Sequence, residues 1–344
     1  MISDVLDVAI VGGSGYAGGE LARLVHGHPR LKLEAITSES LVGTFVHHRH
    51  PNLRSAPRMK FIGIRDLHRY DVLFVALPHG RSIHYADLLS GASRYTVDLG
   101  ADHRVASEEI RGEYYPDLKG VEPYTYGLPE LRRSELGKSR RAAGPGCTAA
   151  ATILGLWPLA RAGMIGGGPV VVEAKVGSSA AGASSNPSTH HPERSGVMRS
   201  FAPVGHRHVA EVREQLGLES GVIHFSATAV EAVRGILVTA HCFPRSPIGE
   251  RDLWRAFREV YDDEPFVRIV RERRGLYRYP EPRILAGTNF CEVGFEVDPK
   301  TGRVVVMSAL DNLVKGAAGS ALQSLNVMAG FPEEMGLQFS GLHP

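Results

Sequence analysis

A glycine-rich turn after the first apolar strand constrains the fold of this chain more than any other feature. In residues 8–21, VAIVGGSGYAGGEL, the residues Gly12, Gly15 and Gly18 stand between strand-forming residues and the start of a helical pattern. Glycine permits a tight turn, and the free N–H groups at a helix N-terminus can bind a pyrophosphate. The spacing is G-x-x-G-x-x-G and departs from G-x-G-x-x-G. The flanking strand and helix nevertheless favour dinucleotide binding over a purely structural turn.

The pattern of apolar runs divides the chain into two parts. Before Cys147 the strand-like runs DVAIVG, LKLEAITS, YDVLFVALP and RYTVDLG are separated by helical or polar stretches, which predicts a parallel sheet between helices. After Cys147 one helical stretch precedes longer strand-like runs, among them PVVVEAKVGSS, GILVTAHCF and RVVVMSAL. We therefore expect an α/β protein with a Rossmann-type dinucleotide-binding domain and an α+β catalytic domain whose sheet is mostly antiparallel. The predicted limits are 1–147, with 311–344 returning to this first domain, and 148–310.

Composition argues against several classes of protein. The formal net charge of the 344 residues is +2, whereas a dedicated nucleic-acid binder normally concentrates basic residues. No apolar run reaches the roughly 18 residues that a membrane span needs. The three cysteines, Cys147, Cys242 and Cys291, lack C-x-x-C spacing. That sparse set argues against a disulfide framework or a cysteine-rich zinc site and favours a reducing cytoplasm.

The segment RAAGPGCTAAAT, residues 141–152, carries the strongest chemical signal. Cys147 follows Gly-Pro-Gly and precedes a helical run, so we expect it at a helix N-terminus, with Thr148 as a candidate capping residue. At such a position the helix dipole and free N–H groups lower a thiol pKa and can stabilise an oxyanion. Cys242 and Cys291 lie in or beside apolar strands, where cysteine is typically a small buried residue. Cys147 is therefore the predicted nucleophile.

The segment GHRHVAEV, residues 205–212, supplies candidate acid–base groups for that cysteine. His208 and Glu211 are three residues apart at the expected start of a helix and can share a face. A metal site is disfavoured, because no carboxylate or cysteine completes a ligand set around His206 and His208 with recognisable spacing. Proton transfer is the favoured role. Spacing does not decide between the two histidines.

The end of the second strand, ITSES, is expected beside the adenosine ribose of the cofactor. A basic residue there favours the 2′-phosphate of NADP, and an acidic residue favours the free 2′-hydroxyl of NAD. The chain has Ser38, Glu39 and Ser40 at this point. Hydroxyl groups can bind a phosphate whereas a carboxylate repels it, so these residues leave both cofactors open.

Together these motifs resemble the N-acetyl-γ-glutamyl-phosphate reductase family, and most closely its LysW-carrier-dependent α-aminoadipyl-phosphate reductase branch. The resemblance runs along the whole chain, through VGGSGYAGGEL, ALPHG, DLGADHR, GPGCTAAAT, SSAAGAS, HHPER, GHRHVAE and DNLVKGAAG. It implies NADPH-dependent reduction of carrier-linked α-aminoadipyl 6-phosphate to the semialdehyde, with release of phosphate, in lysine biosynthesis. The alternatives are N-acetyl-γ-glutamyl-phosphate reduction in arginine biosynthesis and a carrier-linked homologue in secondary metabolism. A non-catalytic dinucleotide-binding redox sensor is the alternative from another class, and it would need neither Cys147 nor the HRHxxE block.

The resemblance implies a role for each matched residue. Cys147 attacks the acyl phosphate and forms a thioester, and His206 or His208, supported by Glu211, handles the proton. Asn312 is expected beside the nicotinamide. The residues implied for substrate and leaving phosphate are Arg104, Ser178 and Ser179. The residues implied for the rest of the cofactor are Gly12, Ser14, Gly15, Tyr16, Ala17, Ser38, Glu39 and Ser40.

The resemblance also implies partners. A small acidic amino-group carrier protein of the LysW type needs a docking surface, which Arg194, Arg199 and Arg207 could provide electrostatically. An ordinary solvated basic face is an equally good interpretation of these arginines. A homo-oligomer is expected. NADP(H) is the implied cofactor, and NAD(H) stays open because the family usually carries arginine where this chain has Glu39.

Overall fold

The computed structural model of the protein describes residues 5–343, which divide into two compact units. The first contains the chain up to Pro145 together with Gly182–Ser184 and Ala317–Gln338. The second contains Gly146–Ala181, Ser185–Gly316 and the chain from Phe339 onward. Within 5–343 no helix is both long and apolar enough to cross a bilayer. The domain limits given above stay a prediction.

A six-stranded, fully parallel sheet forms the centre of the first unit. Its strands are β1 (Leu6–Val11), β2 (Leu31–Ile36), β3 (Tyr70–Val75), β4 (Ser93–Asp98), β5 (Thr125–Tyr126) and β6 (Arg141–Ala143). They are arranged in the order β2-β1-β3-β4-β6-β5, and every pairing between them is parallel. The helices are α1 (Tyr16–His26), α2 (Val46–Arg49), α3 (Ala86–Ser90), α4 (Glu108–Tyr114), α5 (Pro129–Leu136) and, from the end of the chain, α10 (Gly319–Ala329).

The sequence explains why this sheet is parallel and covered on both faces. The central strands β1 and β3 carry four consecutive buried residues each, at 8–11 and 72–75, as strands do when helices pack on both sides. Helix α10 packs against α1, α5 and β4. Its polar side chains are satisfied within the unit, because Asn326 Oδ1 lies 3.1 Å from His28 Nε2 and Gln323 Nε2 donates to Glu130 Oε1 at 2.9 Å. The predicted Rossmann-type sheet is confirmed.

The second unit is built on a seven-stranded mixed sheet. Its strands are β7 (Val170–Val176), β8 (Met198–Ala202), β9 (Ile223–Val230), β10 (Ile236–Cys242), β11 (Val267–Ile269), β12 (Cys291–Val297) and β13 (Val304–Leu310). The order is β11-β12-β13-β10-β7-β9-β8, with parallel pairing only for β11/β12 and β7/β9 among the described strands. The helices are α6 (Cys147–Arg161), α7 (His191–Arg194), α8 (Val209–Leu216) and α9 (Glu250–Tyr261), and a π-helical turn spans Val314–Ala318.

Alternating burial along the central strands of this sheet shows that helices cover one face of it. Residues of β10 alternate strictly between buried and half-buried, which is the pattern of a strand covered on one side. Helix α6 packs on that covered side against β10 and β13, and α8 and α9 flank it. The predicted α+β domain with a mostly antiparallel sheet is confirmed. This packing fixes the N-terminus of α6, where Cys147 lies.

Candidate active site

Cys147 is the first residue of α6, and Gly146 is the residue that precedes the helix in an extended conformation. All three cysteines lie in the described part of the chain and none forms a disulfide. Cys147 is half-buried, whereas the exposed fractions of Cys242 and Cys291 are 1% and 0%. Burial raises the pKa of the Cys242 thiol to about 12, which keeps that thiol protonated at neutral pH. Cys147 is thus the cysteine that solvent and a substrate can reach.

A buried carboxylate holds the turn before Cys147. The N–H of Gly146 donates to Oε2 of Glu211 at 2.8 Å, and Glu211 is completely buried on the first turn of α8. A Cβ built on Gly146 would lie 2.6 Å from His208 Nε2 and 2.7 Å from Glu211 Oε1, so only glycine fits. Glycine is therefore required before the cysteine because His208 and Glu211 leave no room for a side chain. The Gly-Pro-Gly pattern in the sequence did not predict this close packing.

The His208 ring lies along the residues that flank Cys147. Its Nδ1 is 2.5 Å from the hydroxyl oxygen of Thr148, while its Nε2 faces the position of Gly146. The predicted capping role of Thr148 is not seen, because α6 has no side-chain cap hydrogen bond. The buried hydroxyl orients the imidazole instead. Contact between residues 60 positions apart leaves no signal in a single sequence.

His206 packs beside His208 and supports its backbone. Nδ1 of His206 accepts a hydrogen bond from the backbone N–H of His208 at 3.2 Å, and the two rings meet edge to face at 4.8 Å. The His206 ring also packs against Phe225, with ring centres 5.0 Å apart. Burial lowers the pKa of His206, the charge of Arg207 lowers it further, and Glu211 opposes the change. His206 is therefore neutral at pH 7, and one of its nitrogens is engaged.

Cys147 opens into a cavity of about 300 Å³ that lies within the second unit. The volume is at the lower end of the range for small-molecule sites. Ser178, Arg194, Arg199 and Arg207 contribute polar groups to its lining, and Phe201 contributes an apolar one. The pocket therefore presents positive charge and a hydroxyl group to whatever approaches the thiol.

The three arginines of the cavity differ in their contacts. Arg194 is half-buried and donates to the carbonyl oxygen of Val230 at 2.5 Å, so it also holds the lining together. Arg199 is exposed, donates to the carbonyl oxygen of Glu193 and lies 3.9 Å from the carboxylate of Glu193. Arg207 is also exposed. Both exposed arginines therefore present their charge at the cavity, where an anionic ligand can reach it.

Asn312 and Ser179 form a buried link between two loops of the second unit. Nδ2 of Asn312 donates to Oγ of Ser179 at 2.9 Å, and the N–H of Gly235 donates to Oδ1 of Asn312 at 2.8 Å. The bonds join the segment after β7 to the residue before β10. They hold Ser178 at the cavity wall. The implied contact of Asn312 with a nicotinamide stays a prediction.

The glycine-rich turn of the first unit brings backbone segments so close together that side chains would not fit between them. Gly12 has a φ of +81°, and a Cβ built on it would lie 2.6 Å from the carbonyl oxygen of Ala76. A Cβ on Gly18 would lie 2.6 Å from Cα of Gly13. Gly15 precedes α1, which has no side-chain cap hydrogen bond. The free N–H groups at the start of α1 and the absence of side chains over them fit a dinucleotide pyrophosphate.

The side chains around this turn also fit a cofactor. Ser14 and Ala17 are half-buried and Tyr16 is exposed. Ser38 donates from its hydroxyl to Oγ of Ser14 at 2.9 Å and lies 3.5 Å from Oγ of Ser40. We call Ser14, Ser38 and Ser40 the hydroxyl cluster. It joins the glycine-rich turn to the end of β2, where a ribose is expected.

Arg104 lies in the loop after β4, within the first unit. It is 5% exposed, and one of its terminal nitrogens donates to the carbonyl oxygen of Leu99 at 2.7 Å. Asp98, the last residue of β4, precedes this loop, and burial raises the pKa of its carboxyl although the N–H of Gly100 donates a hydrogen bond to it. His103 stacks on Tyr124 with ring centres 3.8 Å apart. The implied contact of Arg104 with the leaving phosphate stays a prediction.

Comparison with known proteins agrees with this geometry. Residues 7–139 match the family model for the NAD-binding domain of semialdehyde dehydrogenases, and residues 147–312 match the model for their dimerisation domain. The chain belongs to the semialdehyde dehydrogenase family. It is accordingly an oxidoreductase that depends on a nicotinamide dinucleotide, of the type that reduces acyl phosphates.

Relatives of this semialdehyde dehydrogenase family member match over their whole length. A protein of Deinococcus radiodurans named LysW-L-2-aminoadipate 6-phosphate reductase is 46% identical, with 100% of both chains covered. A protein of Thermomicrobium roseum, provisionally given the same name, is 50% identical over 99% of both chains. A protein of Haloarcula marismortui, provisionally named LysW-L-2-aminoadipate/LysW-L-glutamate phosphate reductase, is 47% identical over 98% of this chain and 97% of its own.

Solved structures agree in fold. Aspartate semialdehyde dehydrogenase II of Vibrio cholerae, complexed with ASA, has a TM-score of 0.71 at 15% identity and covers 94% of this chain and 98% of its own. The Candida albicans aspartate semialdehyde dehydrogenase, solved with NADP, has a TM-score of 0.68 at 11% identity over 95% and 99% of the two chains. At these identities the comparison establishes the fold alone.

The Thr148 hydroxyl gives a first test of the site of this family member. We expect Thr148→Val to lower kcat about fivefold, because a lost hydrogen bond of about 1 kcal/mol releases the His208 ring. KM should change less than about twofold, since the hydroxyl is engaged by His208 Nδ1 and the proposed substrate contacts are other residues. Thr148→Ser keeps the hydroxyl and should restore kcat. Steady-state kinetics of the three proteins is the measurement.

A matched control lies one turn further along α6. Thr152 is completely buried, and its hydroxyl donates to the carbonyl oxygen of Thr148 at 2.7 Å. Thr152→Val therefore removes a buried hydroxyl from the same helix and leaves His208 untouched. Equal losses of kcat in Thr148→Val and Thr152→Val would mean that helix packing, and not orientation of His208, explains the effect.

Proposed function

We propose that this protein catalyses the NADPH-dependent reduction of carrier-linked α-aminoadipyl 6-phosphate to the semialdehyde in lysine biosynthesis. One observation carries the choice of substrate. A relative at 46% identity over its whole length bears the name LysW-L-2-aminoadipate 6-phosphate reductase, and a relative at 50% identity over 99% of its length bears it provisionally. The position of Cys147 at the start of α6, open to a cavity and beside His208, supports the type of chemistry.

The first half of the reaction uses Cys147 as nucleophile. Its sulfur attacks the acyl carbon, the bond from that carbon to the phosphate oxygen breaks, and phosphate leaves a thioester on the enzyme. N–H groups in the first turn of α6 are well placed to stabilise the oxyanion that forms on the way. Arg104 is our proposed ligand for the departing phosphate, because a guanidinium matches phosphate geometry.

His208 is the proposed acid–base residue. It takes the thiol proton of Cys147 before attack and returns it when the aldehyde is released. A nicotinamide dinucleotide, when bound, would supply the hydride that reduces the thioester, and the Cys147 thiolate is then expelled as the carbonyl re-forms. The contact with Thr148 occupies Nδ1 of His208, and we assign the proton transfer to Nε2. His206, with Nδ1 engaged and a lowered pKa, supports His208, and Glu211 fixes the turn before the nucleophile.

The lining of the cavity suits an anionic substrate on an acidic carrier. Arg199 and Arg207 are exposed at the cavity, and we propose that they draw the carrier to the site by charge complementarity. Arg194 and Ser178 are the proposed contacts for the substrate arm, with Ser179 and Asn312 holding that wall in place.

Further features of the organisation belong to the same proposal. We propose residues 1–147 with 311–344 as the dinucleotide-binding domain and 148–310 as the catalytic and oligomerisation domain of a cytoplasmic homo-oligomer. The description of the matched family model as a dimerisation domain supports oligomerisation. Three cysteines without a disulfide among the described residues support a reducing compartment.

A second substrate is favoured by one specific observation. The Haloarcula marismortui relative, at 47% identity, is provisionally named for both LysW-L-2-aminoadipate and LysW-L-glutamate phosphate reduction. Carrier-linked glutamyl phosphate, one methylene shorter, is therefore the alternative substrate. A pocket discriminates one methylene by only about 1–3 kcal/mol.

The reverse reaction tests the proposal. The enzyme is supplied with phosphate, NADP⁺ and one of three aldehydes: carrier-linked aminoadipate semialdehyde, carrier-linked glutamate semialdehyde or free N-acetylglutamate semialdehyde. We expect the highest kcat/KM with carrier-linked aminoadipate semialdehyde. KM for carrier-linked forms should rise with ionic strength, because salt screens attraction between exposed charges. Equal or better turnover of free N-acetylglutamate semialdehyde would reject the carrier and place the enzyme in arginine biosynthesis.

A further inference from the structure

Arg49 lies against the glycine-rich turn of the first unit. It is the last residue of α2, it is exposed, and its Nε donates to the carbonyl oxygen of Ser14 at 2.9 Å. No carboxylate in residues 5–343 lies within ion-pair distance of Arg49. Its charge is therefore available to an anion beside Ser14, which is the residue that begins the hydroxyl cluster.

The neighbouring histidine fixes Arg49 in this position. His50 is buried, and its Nε2 lies 2.8 Å from the carbonyl oxygen of Gly13. A Cβ built on Gly19 would lie 2.5 Å from the His50 ring, so the ring fits closely into α1. Because consecutive residues bind consecutive carbonyl groups of the turn, the end of α2 is anchored where the turn meets β2.

The Glu39 carboxylate binds a backbone N–H group of the protein. Its Oε1 accepts a hydrogen bond from the N–H of Ile64 at 2.7 Å, at the start of the short 3-10 helix Ile64–Asp66. An acidic residue at the end of β2 selects NAD when its carboxylate binds the ribose 2′-hydroxyl. In this chain that carboxylate is already used as a backbone acceptor. The presence of Glu39 in ITSES is therefore only weak support for a preference for NAD over NADP.

The segment around Arg49 adds to the positive charge at this edge. Arg54, Arg58 and Lys60 follow Arg49 within eleven residues of sequence. Burial lowers the pKa of His47, and the charges of Arg58 and Arg54 lower it further, so this histidine is neutral at pH 7 and the arginines and Lys60 supply the charge. Lys60 stacks over Phe45, and the rings of His47 and His48 contact each other. A doubly charged phosphate on the ribose would gain from this field, whereas a neutral 2′-hydroxyl would not.

We propose that Arg49 and the hydroxyl cluster bind the 2′-phosphate of NADP(H) and give this chain a preference for NADP(H) in spite of Glu39. The inference rests on the proposed NADPH dependence. It attributes the preference for NADPH mainly to Arg49, which lies on α2 and not at the end of β2. The arginine supplies a positive charge and a planar set of N–H donors, and the serine hydroxyls donate hydrogen bonds to the remaining phosphate oxygens.

Binding measurements on the full-length protein test this assignment without any turnover. The dissociation constants of NADP⁺ and NAD⁺ are measured by isothermal titration calorimetry for the wild type and for Arg49→Gln. We expect the variant to bind NADP⁺ roughly 10- to 100-fold more weakly, as for the loss of a charged hydrogen-bonded pair. Its affinity for NAD⁺ should change less than about twofold. Adenosine 2′,5′-bisphosphate and AMP, titrated in the same way, should show the same contrast.

Two control variants separate specific recognition from general charge. Arg54→Gln removes a nearby exposed arginine, and Glu39→Gln removes the carboxylate at the end of β2; both should change the ratio of NADP⁺ to NAD⁺ affinity less than about twofold. Equal weakening of both cofactors in Arg49→Gln would overturn the assignment, and so would a wild type that prefers NAD⁺. A selective loss of NADP⁺ affinity upholds it even if the reverse reaction rejects the carrier-linked substrate.

Discussion

Replacing Cys147 with serine is expected to lower kcat for acyl-phosphate reduction by about 10⁴-fold or more, in line with the loss of other enzymatic nucleophiles. A hydroxyl at the N-terminus of α6 stays protonated at neutral pH, so neither attack nor departure of the side chain is assisted. The shape of the site is kept, because sulfur and oxygen differ little in size. Oxidation of NADPH, followed by absorbance, measures the loss. Mass spectrometry of the wild type mixed with acyl phosphate in the absence of NADPH should show the acyl adduct on Cys147.

Cys242→Ala is the matched control for this experiment. Cys242 lies in β10 with its side chain in the core, and its thiol pKa of about 12 excludes a role as thiolate at neutral pH. We expect kcat within about twofold of the wild type and a loss of about 1–2 kcal/mol in the free energy of unfolding. If Cys147→Ser retained a tenth of the wild-type kcat, or the acyl adduct formed on another residue, the covalent mechanism would be wrong.

The elements that could be predicted from the sequence are those that bury long apolar runs. Strands β1, β3, β7, β10 and β13 each have six or seven residues, enough to show a strand pattern. Strands β5, β6 and β11 have two or three residues, which is too short for any periodicity. Strand β8 is exposed over four of its five residues. Its pairing with β9 comes from tertiary structure, and no local apolar pattern marks it.

The candidate site divides in the same way. The helix-starting position of Cys147 could be predicted, because glycine, proline and the helical run after them are adjacent in sequence. The residues that contact this turn from elsewhere in the chain could not be predicted. Thr148 meets His208 across 60 residues and Gly146 meets Glu211 across 65. The spacing of HRHxxE indicated that the block was functional, but the division of labour within it depends on these long-range contacts.

Arg49 shows the limit of motif-based prediction most clearly. A ribose is expected at the end of β2, yet the charged residue at that point, Glu39, binds a backbone N–H. The arginine that reaches the glycine-rich turn, Arg49, comes from a separate segment, Val46–Arg49, that carries no dinucleotide-binding motif. Charge complementarity at a site depends on which side chains turn toward it, and that is decided by packing.

Replacing His208 with asparagine should reduce kcat by about 10²- to 10⁴-fold, the usual contribution of a general acid–base residue. Asparagine can keep the contact that Nδ1 makes with Thr148 and removes only Nε2, so the change isolates the proposed proton transfer. Phosphate release in the first turnover, followed by rapid mixing, should slow by a similar factor, because deprotonation of Cys147 precedes attack. The loss should be partly recovered at high pH, where hydroxide forms the thiolate without assistance.

His206→Asn is the matched comparison, and it decides between the two histidines. Asparagine can accept the hydrogen bond from the His208 backbone N–H that Nδ1 of His206 accepts now, so the position of His208 is preserved. Because burial lowers the pKa of His206, its loss removes no charge at pH 7. We expect kcat to fall less than about tenfold. A larger fall in His206→Asn than in His208→Asn would transfer the acid–base role to His206.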